Sequence, residues 1–360
     1  MKTAIIAVSR RGIKVAAILK ELYPEADIFV PSRFLPGGKE LNKLFPLSDN
    51  FCEALAPLFS KYHLLAFISA AAIAVRAIAP CLKSKDKDPA VVAIDEQARF
   101  VISLLSGHLG GANAETEKIA HLLSAQSVIT TATDNRGITA FDEMARRLGW
   151  QIDNLAELKK ISAALLEERE VYLYSERSFN YPLMGKIIAV READQLQDAS
   201  NGCVLITSRL SLLPELPQGV PCLMIRPRSI AAGVGCRRGM AVEAIIAAIE
   251  QCFKAASRSV SSLACLATGE FKADEDGLCQ AADYFRVPLK IFARPEIAGA
   301  LEDCILSDFV EQQVGVGAVA EPCARLASGS GEIIMSTRRE KGITLALAEV
   351  RQLPFNWQNK

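Results

Sequence analysis

Residues 106–111, Ser-Gly-His-Leu-Gly-Gly, combine a nucleophile type, a base type and three glycines in one short run. An apolar stretch with strand character, Arg99–Leu105, precedes the run, and a helical pattern begins near Ala112. Glycines let a backbone approach a ligand closely, and the free N–H groups at a helix start favour an anion. His108 is one of three histidines, and a neutral imidazole accepts a proton near pH 7. We therefore predict a ligand site at this connection.

The spacing of the glycines separates this run from two common nucleotide sites. Gly-x-x-Gly-Gly is neither the dinucleotide fingerprint nor the P-loop. A tight connection between a strand and a helix, without any ligand, is the structural alternative.

A second predicted strand–turn–helix carries paired arginines. Ile230–Gly235 is typical of a strand, Cys236–Gly239 of a basic turn, and Ala241–Ala256 of a helix. Arg237 and Arg238 beside a helix start suit carboxylate or phosphate groups. The alternative is an exposed basic turn with no ligand.

The composition of the chain excludes several classes of function. Among 360 residues, Lys plus Arg and Asp plus Glu number 41 each, so no global field attracts nucleic acid. The 10 cysteines contain no Cys-x-x-Cys, and histidines are too few for zinc, so we predict no metal site. Most cysteines are typical of small buried hydrophobes in a reducing cytoplasm. The longest apolar region, 64–82, contains Arg76 and Pro80, so we predict no membrane contact.

The order of elements predicts an α/β protein. We expect an N-terminal domain over 1–139 with an open, mostly parallel sheet, a small middle α/β domain over 140–226, and a C-terminal α/β domain over 227–360. Ligands bind such sheets outside the carboxyl ends of their strands. Residues 95–96, 106–111 and 130–134 all follow predicted strands, so we expect them to converge at one edge of the first sheet.

At the level of longer motifs, the sequence resembles the cobalt-precorrin-5A hydrolases of the anaerobic cobalamin pathway. The resemblance rests on residues 103–113, 129–134, 233–239, 271–275 and the glycine-rich end 329–348, with 75–80 and 88–92 in support. Residues 140–225 match least. The chain departs from the family pattern at Ala70–Ala72, at Met240 and at Gly269–Glu270.

This resemblance implies a reaction. A family member opens the δ-lactone that joins the ring A acetate to C20 of cobalt-precorrin-5A, which gives cobalt-precorrin-5B and releases acetaldehyde. Cobalt arrives in the substrate, so the resemblance implies no cofactor. The implied partner is a flat tetrapyrrole rich in carboxylates. A homodimer and transient contact with neighbouring pathway enzymes stay open.

Lactone hydrolysis needs a base for water and donors for an oxyanion. We predict His108 as the base, Asp134 or Glu96 as the carboxylate that orients it, and the N–H groups around Gly110 and Gly111 as donors. Ser106 as an acyl-enzyme nucleophile is an alternative, although serine and base lie unusually close in sequence. Cys236 beside Arg237 is a further alternative, because arginine lowers a thiol pKa.

The carboxylates of the implied substrate call for clustered cations, and the matching motifs add backbone and polar groups. The predicted substrate-binding residues are Gly107, Gly110, Gly111, Asn113, Arg76, Arg99, Thr131, Gly235, Arg237, Arg238 and Lys272, with Arg338 as a further cation.

Two other functions remain open at this level. A nucleotide-dependent transferase acting on a carboxylated metabolite would suit an α/β chain, but the missing P-loop counts against it. A non-enzymatic tetrapyrrole carrier would need the same cations as the hydrolase, so the sequence does not separate the two.

Overall fold

The computed structural model describes residues 1–35, 44–48, 51–84, 87–131, 136–211, 216–301, 304, 306, 311–312 and 315–351. The chain divides into two compact units, Met1–Arg146 and Arg147–Lys360. Three sheets, each with a core of parallel strands, confirm the predicted α/β class, with one sheet in the first unit and two in the second. No described helix is both long and apolar enough to cross a membrane.

The first unit alternates strands and helices. Its described elements are β1 (Thr3–Ala7), α1 (Arg10–Leu19), β2 (Asp27–Pro31), β3 (Leu44–Leu47), α2 (Phe51–Lys61), β4 (Leu64–Ile68), α3 (Ala71–Ile78), β5 (Ala90–Ile94), β6 (Phe100–Leu105), α4 (Ala112–Leu123), β7 (Gln126–Val128) and α5 (Phe141–Leu148). The sheet order is β3-β2-β1-β4-β5-β6-β7. Residues 44–47 form edge strand β3 beside β2.

Helices cover both faces of this sheet. Buried residues of α1 and α4 pack with one set of alternate strand residues, including Ile5, Ala66 and Val92. Buried residues of α2 and α3 pack with the opposite set, including Ile6 and Phe67. Strands β4 and β5 are buried along their whole length, as expected for strands covered on both sides.

The direction of β6 corrects our prediction for the first sheet. β6 pairs with β5 in antiparallel register, from Val91 opposite Leu105 to Ile94 opposite Val101. The carboxyl end of β6 therefore lies beside the start of β5. Residues 95–96, which follow β5, lie at the other edge of the sheet, so the predicted convergence with 106–111 is wrong. Thr131 follows β7, which runs parallel to β6, and lies at the same edge as the turn.

The second unit contains two five-stranded sheets. Its described elements are β8 (Gln151–Ile152), α6 (Leu155–Leu166), β9 (Val171–Ser175), β10 (Ile187–Val190), β11 (Cys203–Ile206), β12 (Cys222–Arg226), β13 (Ile230–Cys236), α7 (Val242–Ala255), β14 (Leu263–Gly269), α8 (Asp276–Phe285), β15 (Leu289–Phe292), α9 (Arg294–Gly299), α10 (Ala320–Ala327), β16 (Ile333–Glu340) and β17 (Ile343–Glu349). Their orders are β10-β9-β11-β12-β8 and β15-β14-β13-β17-β16.

Antiparallel strands complete an otherwise parallel core in both sheets. β8 is antiparallel to β12, and β17 is antiparallel to β13 and β16. Residues 337–339 belong to β16.

Gly233 in β13 allows helix α10 to pack directly on the sheet. A Cβ atom at Gly233 would lie 1.8 Å from the Ala320 carbonyl oxygen and 2.7 Å from the Ala324 nitrogen. Gly233→Ala must therefore push α10 away, and we expect it to lower the free energy of unfolding by about 1–3 kcal/mol. Urea denaturation measures this loss.

Gly235→Ala in the same strand is the matched control. Its Cβ would meet Thr344 and Val319 only at 3.7 and 3.8 Å, which is ordinary contact. An equal loss of stability in both variants would show that close packing at Gly233 is not the cause.

Candidate functional site

The turn after β6 has the form that its glycines predict. Ser106 has a φ of 54° and Gly111 a φ of 85°, and Gly111 caps the start of α4. The N–H groups of Ala112 and Asn113 donate to the carbonyls of Ser106 and Gly107 at 3.1 and 3.0 Å. The connection between strand and helix is therefore rigid, and it holds His108 at its centre.

Asp142 is the described carboxylate that faces His108. Its Oδ2 lies 3.4 Å from His108 Nδ1, and the two side chains are only 10% and 12% exposed. Asp142 lies in the first turn of α5, whose residues Phe141 and Met144 are fully buried. Packing of α5 thus brings Asp142 to the histidine.

The two carboxylates that we predicted as partners have other positions. Glu96 is exposed in the hairpin between β5 and β6, at the opposite edge of the sheet from His108. Asp134 lies outside the described residues. The sequence did contain a signal for Asp142. Acidic residues are enriched in the first turn of a helix, and Asp142 and Glu143 open the amphipathic pattern of α5.

Arg146 is a second residue that the sequence analysis missed. Its guanidinium makes two hydrogen bonds of 2.8 Å with the carboxylate of Glu143, through Nε and Nη2. Its Nη1 would lie 3.2 Å from a Cβ at Gly111. Arg146 is four residues after Asp142 and so shares its helix face. The missing side chain at Gly111 therefore allows a cation to lie beside the start of α4.

The contacts of Ser106 favour a backbone role. Its hydroxyl donates to the Asp88 carbonyl at 2.9 Å, and a carbonyl oxygen cannot take the proton as a base would. A Cβ at Gly110 would lie 2.4 Å from the Ser106 Cβ, so the two residues pack closely. The Gly111 N–H donates to the His108 carbonyl at 3.0 Å, which removes one of the predicted oxyanion donors.

Asn113 and Thr131 are brought together by the turn. Asn113 Nδ2 donates to Thr131 Oγ1 at 3.1 Å, and Asn113 Oδ1 accepts from Ser103 Oγ at 2.7 Å. A Cβ at Gly107 would lie 2.7 Å from Asn113 Oδ1, so the amide packs against the turn. These contacts tie β6 and α4 to the segment after β7.

Arg99 lies away from the turn. It belongs to the hairpin before β6, where Asp95 accepts from its N–H at 2.7 Å and from its Nε at 3.3 Å. Because β6 runs antiparallel to β5, this hairpin and the turn lie at opposite edges of the sheet. Arg76 is in the last turn of α3, which packs on the face of the sheet opposite α4.

In the second unit, Gly235 lies near the end of β13, and Arg237 and Arg238 follow in the predicted basic turn. The Arg237 N–H donates to the Gly342 carbonyl at 3.1 Å. Arg238 Nη1 lies 3.4 Å from Asp274 Oδ2, but both side chains are about two-thirds exposed, 67% and 72%. Such an exposed ion pair is weak, so the Arg238 guanidinium can exchange Asp274 for another anion.

Lys272 is buried and paired. Its Nζ lies 3.1 Å from Glu275 Oε2, and the two side chains are 10% and 5% exposed. The Gly239 N–H donates to the other oxygen, Glu275 Oε1, at 2.6 Å. Glu275 therefore joins the basic turn to the start of α8.

The same region contains an open groove of about 440 Å³ at the starts of α7 and α8. Its walls include Arg238 together with the acidic run Asp274–Asp276. Burial raises the pKa of the neighbouring Cys236 thiol, in spite of Lys272 nearby. A neutral thiol is a poor nucleophile, so the geometry disfavours Cys236 as the reacting group.

Glu275 should make the stability of the second unit depend on pH. Burial raises the pKa of its carboxyl, but hydrogen bonds from Lys272 and Gly239 outweigh burial, and the net pKa lies below the usual 4.5. Because the pKa of this carboxyl is lower in the folded than in the unfolded protein, the ionised carboxyl stabilises the fold above about pH 4.5. This stability is lost as the pH falls through the folded pKa. Urea unfolding should therefore show that Glu275→Gln is clearly less stable than wild type at pH 7, and that the difference narrows towards pH 3.

Asp276→Asn, at the exposed neighbouring position, is the control and should change little at either pH. A difference between Glu275→Gln and wild type that stays constant from pH 7 to pH 3 would contradict this account.

Family models match the chain in three consecutive parts, each of which contains strands of one sheet. The models are Cobalamin synthesis G N-terminal over residues 53–134, Cobalamin biosynthesis central region over 139–227, and Cobalamin synthesis G C-terminus over 230–348. The fold and these matches define an α/β protein of the cobalamin synthesis G class.

Full-length relatives identify the family within this class. A cobalt-precorrin-5A hydrolase of Salmonella typhimurium is 34% identical over 349 residues, which is 96% of each chain. A cobalt-precorrin-5A hydrolase of Priestia megaterium is 30% identical over 355 residues, 96% of this chain and 94% of that one. The chain belongs to the cobalt-precorrin-5A hydrolase family. A crystal structure of a cobalamin biosynthesis protein G homolog from Sulfolobus solfataricus covers 97% of both chains at 21% identity, with a TM-score of 0.40.

Proposed function

We propose that this protein hydrolyses cobalt-precorrin-5A to cobalt-precorrin-5B and acetaldehyde by base catalysis at His108. The observation that carries the mechanism is the His108–Asp142 pair, buried at a glycine turn between a strand and a helix. Full-length similarity to proteins named for this activity supports the reaction itself.

Asp142 supports a defined protonation state of the imidazole. A carboxylate beside Nδ1 favours the tautomer with its proton on Nδ1, which leaves Nε2 as the acceptor. Nε2 takes a proton from water as the oxygen attacks the lactone carbonyl. Asp142 then stabilises the imidazolium that forms. Breaking the lactone C–O bond turns the ring A acetate into a carboxylate and leaves a hydroxyl on C20, which takes its proton from the imidazolium. Loss of that hydroxyl proton then breaks the carbon–carbon bond from C20 to the macrocycle. The macrocycle keeps the bonding electrons, the two-carbon unit leaves as acetaldehyde, and one water is consumed.

Cations of this chain would bind the substrate carboxylates. Arg146 is held rigidly by Glu143 beside the start of α4, in the same unit as His108. Arg238 is exposed and only weakly paired in the second unit. Cobalt is part of the substrate in this scheme, so the protein supplies polar and cationic groups and no metal or cofactor of its own.

Acetaldehyde release tests the proposed function. Purified protein mixed anaerobically with cobalt-precorrin-5A should release one equivalent of acetaldehyde. A spectral shift on binding without any release would overturn the hydrolase and favour a tetrapyrrole carrier. If neither acetaldehyde release nor a spectral shift is seen, both the hydrolase and the tetrapyrrole carrier are excluded.

Binding should depend on the two arginines of the second turn. Double substitution of Arg237 and Arg238 by alanine removes two cations, and we expect the affinity for the substrate to fall at least tenfold. Spectrophotometric titration under anaerobic conditions measures the Kd.

A matched control replaces Arg10 and Arg11, an exposed pair at the start of α1. Its affinity should equal that of wild type. Unchanged affinity in the variant of residues 237 and 238 would exclude this turn from the substrate site.

A further inference from the structure

Three sulfur atoms lie on one face of the sheet formed by β8–β12. Cys203 begins β11, and Cys222 and Met224 belong to β12. The two strands are parallel, with Cys203 directly opposite Cys222. Paired residues of adjacent strands point to the same face, and so do residues two apart in one strand. The register of the sheet therefore places all three sulfurs together.

The three residues share one cluster on this face. Cys203 and Cys222 are direct partners on adjacent strands, and Cys222 Sγ donates to Met224 Sδ at 3.9 Å. A three-coordinate metal ion with metal–sulfur bonds of roughly 2.3 Å holds its sulfur ligands about 4 Å apart. The observed spacing of Cys222 and Met224 thus already suits two ligands of one such ion.

The surroundings of the three sulfurs select for a soft ion. The same cluster contains the buried side chains of Leu196, Ala199 and Leu205. Among the described residues, no group of three or more His, Cys, Asp or Glu could hold a metal ion, so the hard and four-coordinate sites that magnesium, calcium and zinc require are not formed here. Two thiols and a thioether in an apolar setting are the ligands that Cu(I) prefers.

Access is compatible with such a site. Cys203 is fully buried and Met224 is 8% exposed, whereas Cys222 is partly buried. Of the three sulfur residues, Cys222 is therefore the one that an ion from solvent would reach first.

We propose that Cys203, Cys222 and Met224 form a binding site for one soft monovalent metal ion of the Cu(I) class. Binding breaks two S–H bonds and forms two bonds from thiolate sulfur to the metal, while the thioether adds a third sulfur ligand. Two protons pass to water, and no oxidation state changes. The site lies in the part of the chain that matches the central family region and is separate from the turn that carries His108.

The test uses the reduced full-length chain and Cu(I), under anaerobic conditions, with a chromophoric Cu(I) chelator as competitor. We expect one high-affinity ion per chain and three sulfur neighbours by X-ray absorption. Met224→Leu, which preserves volume, should weaken binding at least tenfold and leave two sulfur neighbours. Cys203→Ala with Cys222→Ala should remove the high-affinity ion.

Cys252→Ala with Cys265→Ala is the matched control, because both cysteines are buried in the other sheet region. It should bind Cu(I) as wild type does. Wild-type affinity in Met224→Leu, or in the variant of residues 203 and 222, would overturn the proposal. Copper that only promotes a disulfide, seen as the loss of two hydrogen masses with no bound metal, would overturn it as well.

Discussion

Replacement of His108 by alanine should lower the rate of acetaldehyde release by about 10²–10⁴-fold, the usual contribution of a general base. The side chain is only 10% exposed and lies beside Asp142, at a turn where backbone N–H groups donate to backbone carbonyls. The turn should therefore keep its form without the imidazole. Single-turnover kinetics measure the chemical step, and circular dichroism checks the fold.

Two further experiments distinguish a catalytic base at His108 from a residue with only a structural role. Asp142→Asn should also slow the chemical step, and it should change the pH dependence of the rate, because the carboxylate stabilises the imidazolium. Added imidazole should partly restore turnover to His108→Ala. His121→Ala, which changes an exposed histidine in the last turn of α4, should behave as wild type. Near-normal turnover in His108→Ala would show that His108 is not the base.

Substitution of Lys272 by methionine should destabilise the second unit by about 3–5 kcal/mol. The change leaves the Glu275 carboxylate, 5% exposed, without its counterion and with backbone N–H groups such as that of Gly239 as its donors in the folded state. A buried charge without its counterion costs far more than the lost attraction of the pair. Urea unfolding, followed by fluorescence of buried Trp150, measures the loss.

The double variant Lys272→Met with Glu275→Gln is the control for this mechanism. It removes both charges, so most of the lost stability should return. If the single variant costs under 1 kcal/mol, the pair is not a buried charge pair in solution. Normal substrate affinity in the double variant would further show that Lys272 supports the turn rather than binding substrate.

Local sequence signals were sufficient for most of the elements. The apolar runs of β4 and β5 are short and fully buried, and the glycines at 107–111 interrupt the pattern where a strand must meet a helix. The direction of β6 was also present in the sequence, although we predicted that residues 95–96 and 106–111 would converge at one edge of a mostly parallel sheet. Only the short hairpin 95–99 joins β5 to β6, and a parallel crossover needs a dozen residues or more.

Long-range pairing was beyond the reach of local patterns. Residues near the turn, such as Arg99, looked equally suited to the site, but β6 carries Arg99 and Ser106 to opposite edges of the sheet. The Lys272–Glu275 pair is different, because the two residues are three apart in sequence and only their burial depends on packing. The edge at which Arg99 lies depends on which strands pair, and spacing along the chain does not specify that.

The sequence by itself determined the α/β class, the turn with His108 and the family to which its motifs point, because periodicity, glycines and motif order are local properties. Only the tertiary structure decided that Asp142 faces His108 and that Arg146 lies beside Gly111. Both contacts exist because burial of Phe141 and Met144 orients α5. That orientation results from packing between distant segments, so no local pattern of residues specifies it.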